Sequence, residues 1–471
     1  MIKKLIFLSA LGMCLHAGAQ VKEFTLKQCI DYAWDNNLDV RQYTLNNALS
    51  KIDARQSKTN LLPSLSLNAG QNYQFGRTID RFTNTFVNQT IRSNNVGLSG
   101  NLVLFNGMQN QHYIMQQNAA ERATEENILT IKNTIALNVA SAFLQVIQSE
   151  EIIKNSKIQI ESTTARIDKA QKMVDAGASD MSALLSLKAQ VANEQLNLVT
   201  AQNQKNVAML NLKILMQMPP EDDLEVVVPV IPSDVISNPY TLSELYDISL
   251  KTMPQIKAAV LQTEVSKYQS MVAKGQWSPT ISLYGSVSTV YSQSAKDITG
   301  VNSVRVQPIG ITQNTLDTVF APSFGYSFKT IPFKKQLKDN LGQSAGINIS
   351  WNLFNGFQVQ NQVQKAKINS YISEVNLQRA KNTLLNDINT AMNNYNAAKA
   401  RHDAATNNIQ AQQLSFDYIQ RRFDAGATNS FDYIQSKNGL LQAQSTEVQA
   451  RYELVFRGLI LEYYKGNPIN L

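Results

Sequence analysis

The chain has 471 residues, of which 43% are hydrophobic and 17% are charged, and its mean hydropathy is −0.23. Its two cysteines, Cys14 and Cys29, exclude a small fold held together by several disulfides. The net charge of +7 is scattered among Gln and Asn residues, which indicates solvated helix faces and argues against a nucleic-acid partner.

The first residues have the pattern of an export signal. The positive pair Lys3 and Lys4 precedes an apolar run over residues 5–15, and three small residues follow that run. This pattern predicts a Sec-type signal peptide over residues 1–19. A lipoprotein signal ending at Cys14 is the alternative, and it is disfavoured because a bulky methionine precedes that cysteine.

Two short motifs occur twice at the same separation. Leu104–Gly107 (Leu-Phe-Asn-Gly) recurs at Leu353–Gly356, and Asp175–Ala178 (Asp-Ala-Gly-Ala) recurs at Asp424–Ala427, each 249 residues further on. Upstream, the corresponding segments lie only 216 residues apart, so the second copy contains an insertion of 33 residues. Such self-similarity at a fixed distance predicts an internal duplication.

The duplication divides the chain into a first repeat over residues 20–218, a linker over 219–239 and a second repeat over 240–471. We expect each repeat to contain one helix, two strands and two further helices. In the second repeat the strands are predicted to be joined by a longer loop, at about 292–343, which faces the outside and is expected to be mobile and solvated. Contact of its lysines with lipopolysaccharide, through Lys329, Lys334, Lys335 and Lys338, is the alternative.

The predicted helices differ greatly in length. Thr25 with Gln28, and Thr241 with Glu244, form capping boxes that predict the first helix of each repeat. This helix is expected to continue to the proline before the first strand, since proline cannot continue a helix.

The middle helix of each repeat is predicted to be very long, at about Gly107–Asp175 and Gly356–Asp424. At 1.5 Å per residue each spans roughly 100 Å. A thin apolar stripe along each indicates packing against neighbouring helices, as in a coiled coil. After a glycine corner the chain is expected to return through helices at about Ser179–Met216 and Thr428–Tyr464.

Four segments alternate between apolar and polar residues with period two. The apolar set comprises Leu65, Leu67, Ala69, Tyr73 and Phe75, then Val96, Leu98, Leu102 and Leu104, then Ile281, Leu283, Val287 and Tyr291, then Ala345, Ile347, Ile349, Trp351 and Leu353. The intervening residues are mostly Ser, Asn and Gly. This pattern is typical of membrane strands with one face in lipid and one toward a water-filled lumen. Half-buried strands of a soluble sheet are the alternative.

Four membrane strands are too few to close a barrel, and open sheet edges are not tolerated in lipid. If the strands lie in the membrane, several copies must therefore combine them. This reasoning requires an oligomer and does not determine the number of subunits.

The repeated order of these motifs resembles the TolC family of outer-membrane efflux and secretion channels. The resemblance covers essentially the whole chain after the signal peptide, and it implies an α+β outer-membrane protein. It further implies a homotrimer in which four strands per subunit form a transmembrane β-barrel, with a long periplasmic α-helical barrel below. The implied partners are a periplasmic adaptor, an inner-membrane pump of the RND or ABC type, and outer-membrane lipid.

The same resemblance assigns roles to the turns between the long and returning helices. It implies adaptor docking at these helix tips, through Lys172, Asp175, Gly177, Ser179, Arg422, Asp424, Gly426 and Thr428. Arg422 matches the basic position of the family, whereas the first repeat has Met173 there. An ordinary helix corner with solvated charges is the alternative.

The resemblance also implies a pore constriction lined by acidic side chains near the tips. Asp432 falls on the family's gating aspartate position, and Asp180 lies close to the other tip. The next acidic position of the family is Gln435 here, a departure that argues against a double ring of acids. Trp351 is predicted to belong to the aromatic belt at the membrane boundary, with plain core packing as the alternative.

Catalytic chemistry has little support in the sequence. His112 and His402 fall on separate helices, and no phosphate-binding loop or paired-cysteine metal motif occurs. We therefore predict a protein without cofactor or enzymatic activity, whose function is to conduct substrates. The alternative functions are a periplasmic coiled-coil adaptor or scaffold without a channel, and an exported hydrolase.

Overall fold

In the computed structural model the chain forms two compact units. Of the residues that the structure describes, those within 22–52, 117–266 and 369–469 form the helical unit, and those within 53–116 and 267–368 form the strand unit. The structure describes residues 22–79, 84–88, 90–177, 180–229 and 240–469. The predicted signal peptide, Ser179 and residues 230–239 of the predicted linker lie outside these residues.

The helices of the two halves match in length. In the first half they are α1 (Leu26–Asn36), α2 (Leu38–Thr59), α3 (Gln109–Asp175) and α4 (Met181–Met216). Their counterparts are α5 (Leu242–Thr252), α6 (Pro254–Gly275), α8 (Gln358–Asp424) and α9 (Ser430–Lys465), with a short α7 (Phe333–Asp339) between α6 and α8. The two helices of each matched pair have the same length, which is 11, 22, 67 and 36 residues for the four pairs in chain order. The first two pairs are 216 residues apart and the last two are 249 apart, as the sequence motifs are.

The prediction of one continuous helix before the first strand of each repeat was wrong. A break separates α1 from α2 at Asn37, whose backbone is extended and whose Oδ1 accepts a hydrogen bond of 2.8 Å from the Asp39 amide. The second break lies at Met253, because the residue before a proline is disfavoured in the helical region. Pro254 then occupies the first position of α6, where a missing N–H costs nothing.

The strands, in chain order, are β1 (Lys22–Phe24), β2 (Ser64–Gln74), β3 (Arg77–Ile79), β4 (Phe86–Asn88), β5 (Ile91–Phe105), β6 (Leu224–Val226), β7 (Thr280–Ser292), β8 (Lys296–Ile311), β9 (Thr318–Thr330) and β10 (Gly342–Ser350). Four of them form an antiparallel sheet in the order β10-β7-β5-β2. The others form two-stranded pairs: β1 with β6, β3 with β4 and β8 with β9.

Register gives the four-stranded sheet one apolar and one polar face. Leu67 lies opposite Leu98, and Leu98 lies opposite Val287, so the predicted apolar residues meet on one side. On the other side one row of the sheet consists of serines, namely Ser66, Ser99, Ser286 and Ser344. The Oγ atoms of Ser66 and Ser99 are 2.8 Å apart, as are those of Ser286 and Ser344.

Apart from the end at Tyr291, which is buried, the apolar face is not covered within the strand unit. Leu65 and Leu67 are 74% and 71% exposed, and Ile347 and Ile349 are 64% and 66% exposed. These values contradict the alternative of half-buried strands in a soluble sheet. β10 ends at Ser350, so Trp351 and Leu353, predicted as strand residues, follow the strand.

The segment predicted as a long loop at 292–343 consists largely of regular structure. This segment contains β8, β9 and α7, and the two strands pair along almost their whole length. We call β8 and β9 the ribbon. Its three register shifts explain why the period-two pattern of the sequence is interrupted there.

The core of the helical unit follows the apolar stripes predicted for the long helices. Val139, Phe143 and Val146 of α3 are fully buried in a cluster with residues of α1, α4 and α9. A second cluster places Ile388 and Tyr395 of α8 against α5 and α9. Among the helices described, none has a stretch apolar and long enough to cross a membrane.

Candidate functional site

The first helix tip is the turn between α3 and α4. Helix α3 ends at Asp175, and Gly177 takes the left-handed conformation with φ of +66°. Its N–H donates to the Val174 carbonyl at 2.9 Å, while the Ala176 N–H donates to the carbonyl of Lys172 at 3.1 Å. The turn thus supplies donors for two of the carbonyl groups at the end of α3, those of Lys172 and Val174.

The second tip, between α8 and α9, is a complete Schellman motif. Gly426 has φ of +72°, and its N–H donates to the Phe423 carbonyl at 3.0 Å. The Ala427 N–H donates to the Arg422 carbonyl at 2.8 Å, which closes the wider turn. The Arg422 side chain folds over the tip and donates from Nη2 to the Ala427 carbonyl at 3.0 Å.

The returning helices begin later than predicted, and other residues cap them. Asp180 caps α4, and its side chain accepts hydrogen bonds from the hydroxyl and amide of Ser182. These bonds hold the pKa of Asp180 below its ordinary value. Asn429 caps α9, since its Oδ1 accepts a hydrogen bond of 2.9 Å from the Asp432 amide, and Thr428, the predicted start of the helix, lies before this cap.

The candidate constriction residues lie at the start of the returning helices. The Asp432 carboxylate accepts a hydrogen bond of 2.8 Å from the Thr428 hydroxyl, and it lies in the first turn of α9. Gln435 is exposed one turn further along α9. Asp180 is bonded within its own helix start, and no hydrogen bond or ion pair of the described residues joins it to Asp432.

Behind the second tip lies an aromatic cluster that the sequence did not reveal. Tyr433 is fully buried, and its ring stacks on Phe423 with 4.8 Å between centroids. The guanidinium carbon of Arg166, on α3, lies 4.8 Å from the Tyr433 ring centre. Arg166 also forms an ion pair of 3.2 Å with Asp424, and Lys169 lies 3.8 Å from the same carboxylate. Asp424 therefore ties the second tip to α3.

Trp351 lies directly after β10 and is 58% exposed, so the alternative of core packing is not what the structure shows. Its indole N–H donates to the backbone carbonyl of Trp277 at 3.0 Å. Trp277, which precedes β7, is 52% exposed. The sequence analysis overlooked Trp277, although it is the counterpart of Trp351 at the neighbouring end of the same sheet.

Within the part of the chain that the structure describes, no three His, Cys, Asp or Glu side chains gather as metal ligands would. His402 lies 3.8 Å from Asp403 and 3.9 Å from Glu447, an arrangement without a nucleophile.

Comparison with known proteins connects these features. A family model described as outer membrane efflux protein matches residues 29–216 and 245–457. The outer membrane protein TolC of Salmonella enteritidis is 21% identical over 441 residues, covering 94% of this chain and 82% of that protein. TolC of Escherichia coli K12 is 20% identical over 445 residues, with the same coverage.

The fold is that of solved outer-membrane channels. The structure of CusC matches with a TM-score of 0.74 and 16% identity, over 97% of this chain and 96% of that chain. VceC of Vibrio cholerae matches with a TM-score of 0.72 and 15% identity, over 94% and 96%. The open state of the Neisseria gonorrhoeae MtrE channel matches with a TM-score of 0.70 and 16% identity, over 94% of this chain and 89% of that chain. These matches confirm the resemblance predicted from the sequence, and the chain belongs to the outer membrane efflux protein family.

Proposed function

We propose that this chain is one subunit of a homotrimeric outer-membrane exit duct. The duct would serve a tripartite efflux or type I secretion system and conduct its substrates passively. The observation that carries the proposal is the four-stranded sheet, whose exposed apolar face and serine-rich face suit the wall between lipid and a water-filled lumen.

The edges of this sheet support closure by several copies. Among the described strands, nothing pairs with the outer edges of β2 and β10. Neither strand contains a charged residue or a proline, the usual protection of an exposed edge. The two edge strands run antiparallel to each other, because three antiparallel pairings separate them. β2 of one copy can therefore pair with β10 of the next in the same up-and-down pattern.

Three copies would give a barrel of twelve strands, which is wide enough for a lumen. The helix tips would then dock a periplasmic adaptor that connects the duct to an RND or ABC-type pump. The exposed polar groups around Gly177 and Gly426 support this role, and three copies of Asp432 would form a cation-attracting constriction. Trp351 and Trp277 would anchor the end of the barrel at the membrane boundary.

Disulfide trapping across the proposed seam tests the duct. Ser66→Cys in β2 is combined with a cysteine scan of the polar face of β10, at Ser344, Gly346 and Asn348. Several positions are scanned because the strands of a closed barrel are staggered, so the residue of β10 that lies opposite Ser66 has to be found by experiment. We expect one register to give covalent species of two and three chains and nothing larger. The matched control combines Ser66→Cys with Ile347→Cys on the opposite face, which should remain uncrosslinked. Monomeric protein in every register would show that the sheet does not close.

A further inference from the structure

The ribbon is strongly amphipathic. In its register Ile298 lies opposite Phe328, Val301 opposite Tyr326, and Val304 opposite Phe324. The same face continues with Val306, Pro308, Phe320 and Pro322. The opposite face carries Asp297, Gly300, Ser303, Arg305, Gln307, Ser323, Gly325, Ser327 and Lys329, with Ala321 and Val319 as its largest apolar residues.

The register shifts of β8 preserve this separation. Between Ile298 and Gly300, between Val301 and Ser303, and between Pro308 and Gly310, β8 has one residue more than β9. Each extra residue advances β8 by one position, so the next apolar side chain returns to the same face. Because of the bulges, a sequence without regular alternation still forms a ribbon with one apolar face and one polar face.

The apolar face lacks a covering layer. Val304 and Val306 are 60% and 67% exposed, and Phe320 and Phe328 are each 59% exposed. A two-stranded ribbon is marginally stable in water and needs a further layer on its apolar side. A contiguous exposed apolar face of this kind indicates a surface that binds another molecule or a membrane.

The base of the ribbon is joined to the four-stranded sheet by hydrogen bonds and by a contact between two aromatic rings. Gln336 of α7 is almost fully buried; its Oε1 accepts from the Ser292 amide at 2.9 Å, and its Nε2 donates to the Ser292 and Ile331 carbonyls. Phe333 packs edge-on against Tyr291 with 5.0 Å between ring centroids. Tyr291 belongs to the apolar face of the sheet, so α7 lies on the side that the proposed function assigns to lipid.

Positive charge is concentrated at this base. It comprises Lys296 at the start of β8 and Lys334, Lys335 and Lys338 on α7, whereas Lys329 lies on the polar face of the ribbon. These four lysines outnumber the two acids close to them in the sequence, Asp297 and Asp339, and Lys335 forms an ion pair of 3.0 Å with Asp297. An apolar face next to surplus lysines is complementary to an anionic amphiphile. The face can bind its acyl chains, and the lysines can bind its phosphates.

We propose that the ribbon docks with its apolar face on the membrane surface, while the lysines at its base bind the phosphates of anionic lipids. This inference rests on the proposed function, because it requires the apolar face of the sheet to lie in the same membrane. The membrane then supplies the missing layer over the ribbon.

Spin labels on the full-length protein in vesicles test the docking. Single cysteines are introduced in a Cys14→Ala background, and we expect Cys29 to stay unlabelled because it is fully buried. Phe324→Cys reports the apolar face, and Ser323→Cys, its neighbour on the polar face, is the matched control. In vesicles of phosphatidylcholine mixed equally with phosphatidylglycerol, we expect the Phe324 label to be several-fold more accessible to oxygen than to a water-soluble nickel chelate. The Ser323 label should show the opposite preference.

Leu67→Cys on β2 separates the two hypotheses. If the Leu67 label is immersed and the Phe324 label remains open to the chelate, the ribbon inference is wrong and the duct stands. If both labels are open to the chelate, the proposed function itself fails. Strong dipolar coupling between Phe324 labels, with neither reagent gaining access, would show that a second copy covers the ribbon and would overturn the lipid assignment.

The lysines are tested by Lys334→Gln combined with Lys338→Gln. In this variant the preference of the Phe324 label for oxygen over the nickel chelate should fall several-fold in the mixed vesicles. The preference should not change in vesicles of pure phosphatidylcholine. Equal immersion of the variant and the parent protein in the mixed vesicles would overturn the anionic preference.

Discussion

Lys437 of α9 and Glu194 of α4 form an ion pair of 2.9 Å inside the helical unit, where their side chains are 1% and 3% exposed. Thr163 of α3 donates to the other Glu194 oxygen at 2.7 Å, and the Lys437 ammonium also contacts the Thr163 hydroxyl. Gln190 donates to Glu194 at 2.9 Å. One buried polar network therefore joins three helices, and within it the charges of Lys437 and Glu194 compensate each other.

Removing one partner of this pair should be strongly destabilising. We expect Lys437→Met to lower the free energy of unfolding by about 3–5 kcal/mol, because Glu194 is left as an uncompensated buried charge. The double variant with Glu194→Leu should recover most of this loss. Denaturant unfolding followed by circular dichroism measures both. The control is Lys205→Met, which breaks the more exposed 3.1 Å pair with Glu150 and should cost at most about 1 kcal/mol. A Lys437→Met protein as stable as the parent would contradict the prediction.

The reactivity of Cys29 reports the packing of α1. Burial raises the pKa of this thiol from 9.0 to about 12. Because the folded pKa lies above the unfolded one, the resulting stabilisation is present below about pH 9 and is lost as pH rises toward 12. In a Cys14→Ala background, alkylation of the native protein should stay slow from pH 7 to 10, whereas the denatured protein should react with its ordinary thiol pKa. A native rate that rises around pH 9, as the denatured rate does, would show that Cys29 is accessible.

Features set by local chemistry were predictable from the sequence. The tips follow from Gly177 and Gly426, since glycine takes the left-handed conformation at low cost. The sheet faces follow from strict alternation in β2 and β10. Both breaks were missed although the sequence marks them, the first by Asn37, since asparagine favours caps and turns over helix interiors, and the second by Pro254.

Features that depend on tertiary contacts were not predictable. Arg166 and Asp424 are 258 positions apart, and only the packing of α3 against the second tip brings them together. The ribbon was predicted as a loop because each bulge shifts the period-two pattern by one residue, which makes alternation unreadable without the partner strand.

Two substitutions at Asp432 separate its charge from its hydrogen bonding. The carboxylate accepts from Thr428 in the first turn of α9, so it could act either as a constriction charge or as part of the helix start. Asp432→Asn removes the charge and keeps an oxygen acceptor, while Asp432→Ala removes both. We expect both variants to weaken the block of single-channel conductance by divalent cations. If only Asp432→Ala alters the block, the contribution of Asp432 is structural and the charge has no role in the constriction.

Gly426→Val should impair export by distorting the second tip. No atom lies within 4 Å of the position that a Cβ would occupy at Gly426, so the effect comes from the backbone, whose φ of +72° costs an ordinary residue about 1–2 kcal/mol and a β-branched one more. Relief of this strain would break the bond from the Ala427 amide to the Arg422 carbonyl and displace the polar groups proposed to meet the adaptor. We expect substrate efflux from cells to fall while the purified protein remains trimeric, because the sheet is unaffected. Gly426→Asn is the matched control, since asparagine tolerates the left-handed region, and it should retain most of the export. Undiminished efflux by Gly426→Val would mean that the tip does not dock the adaptor.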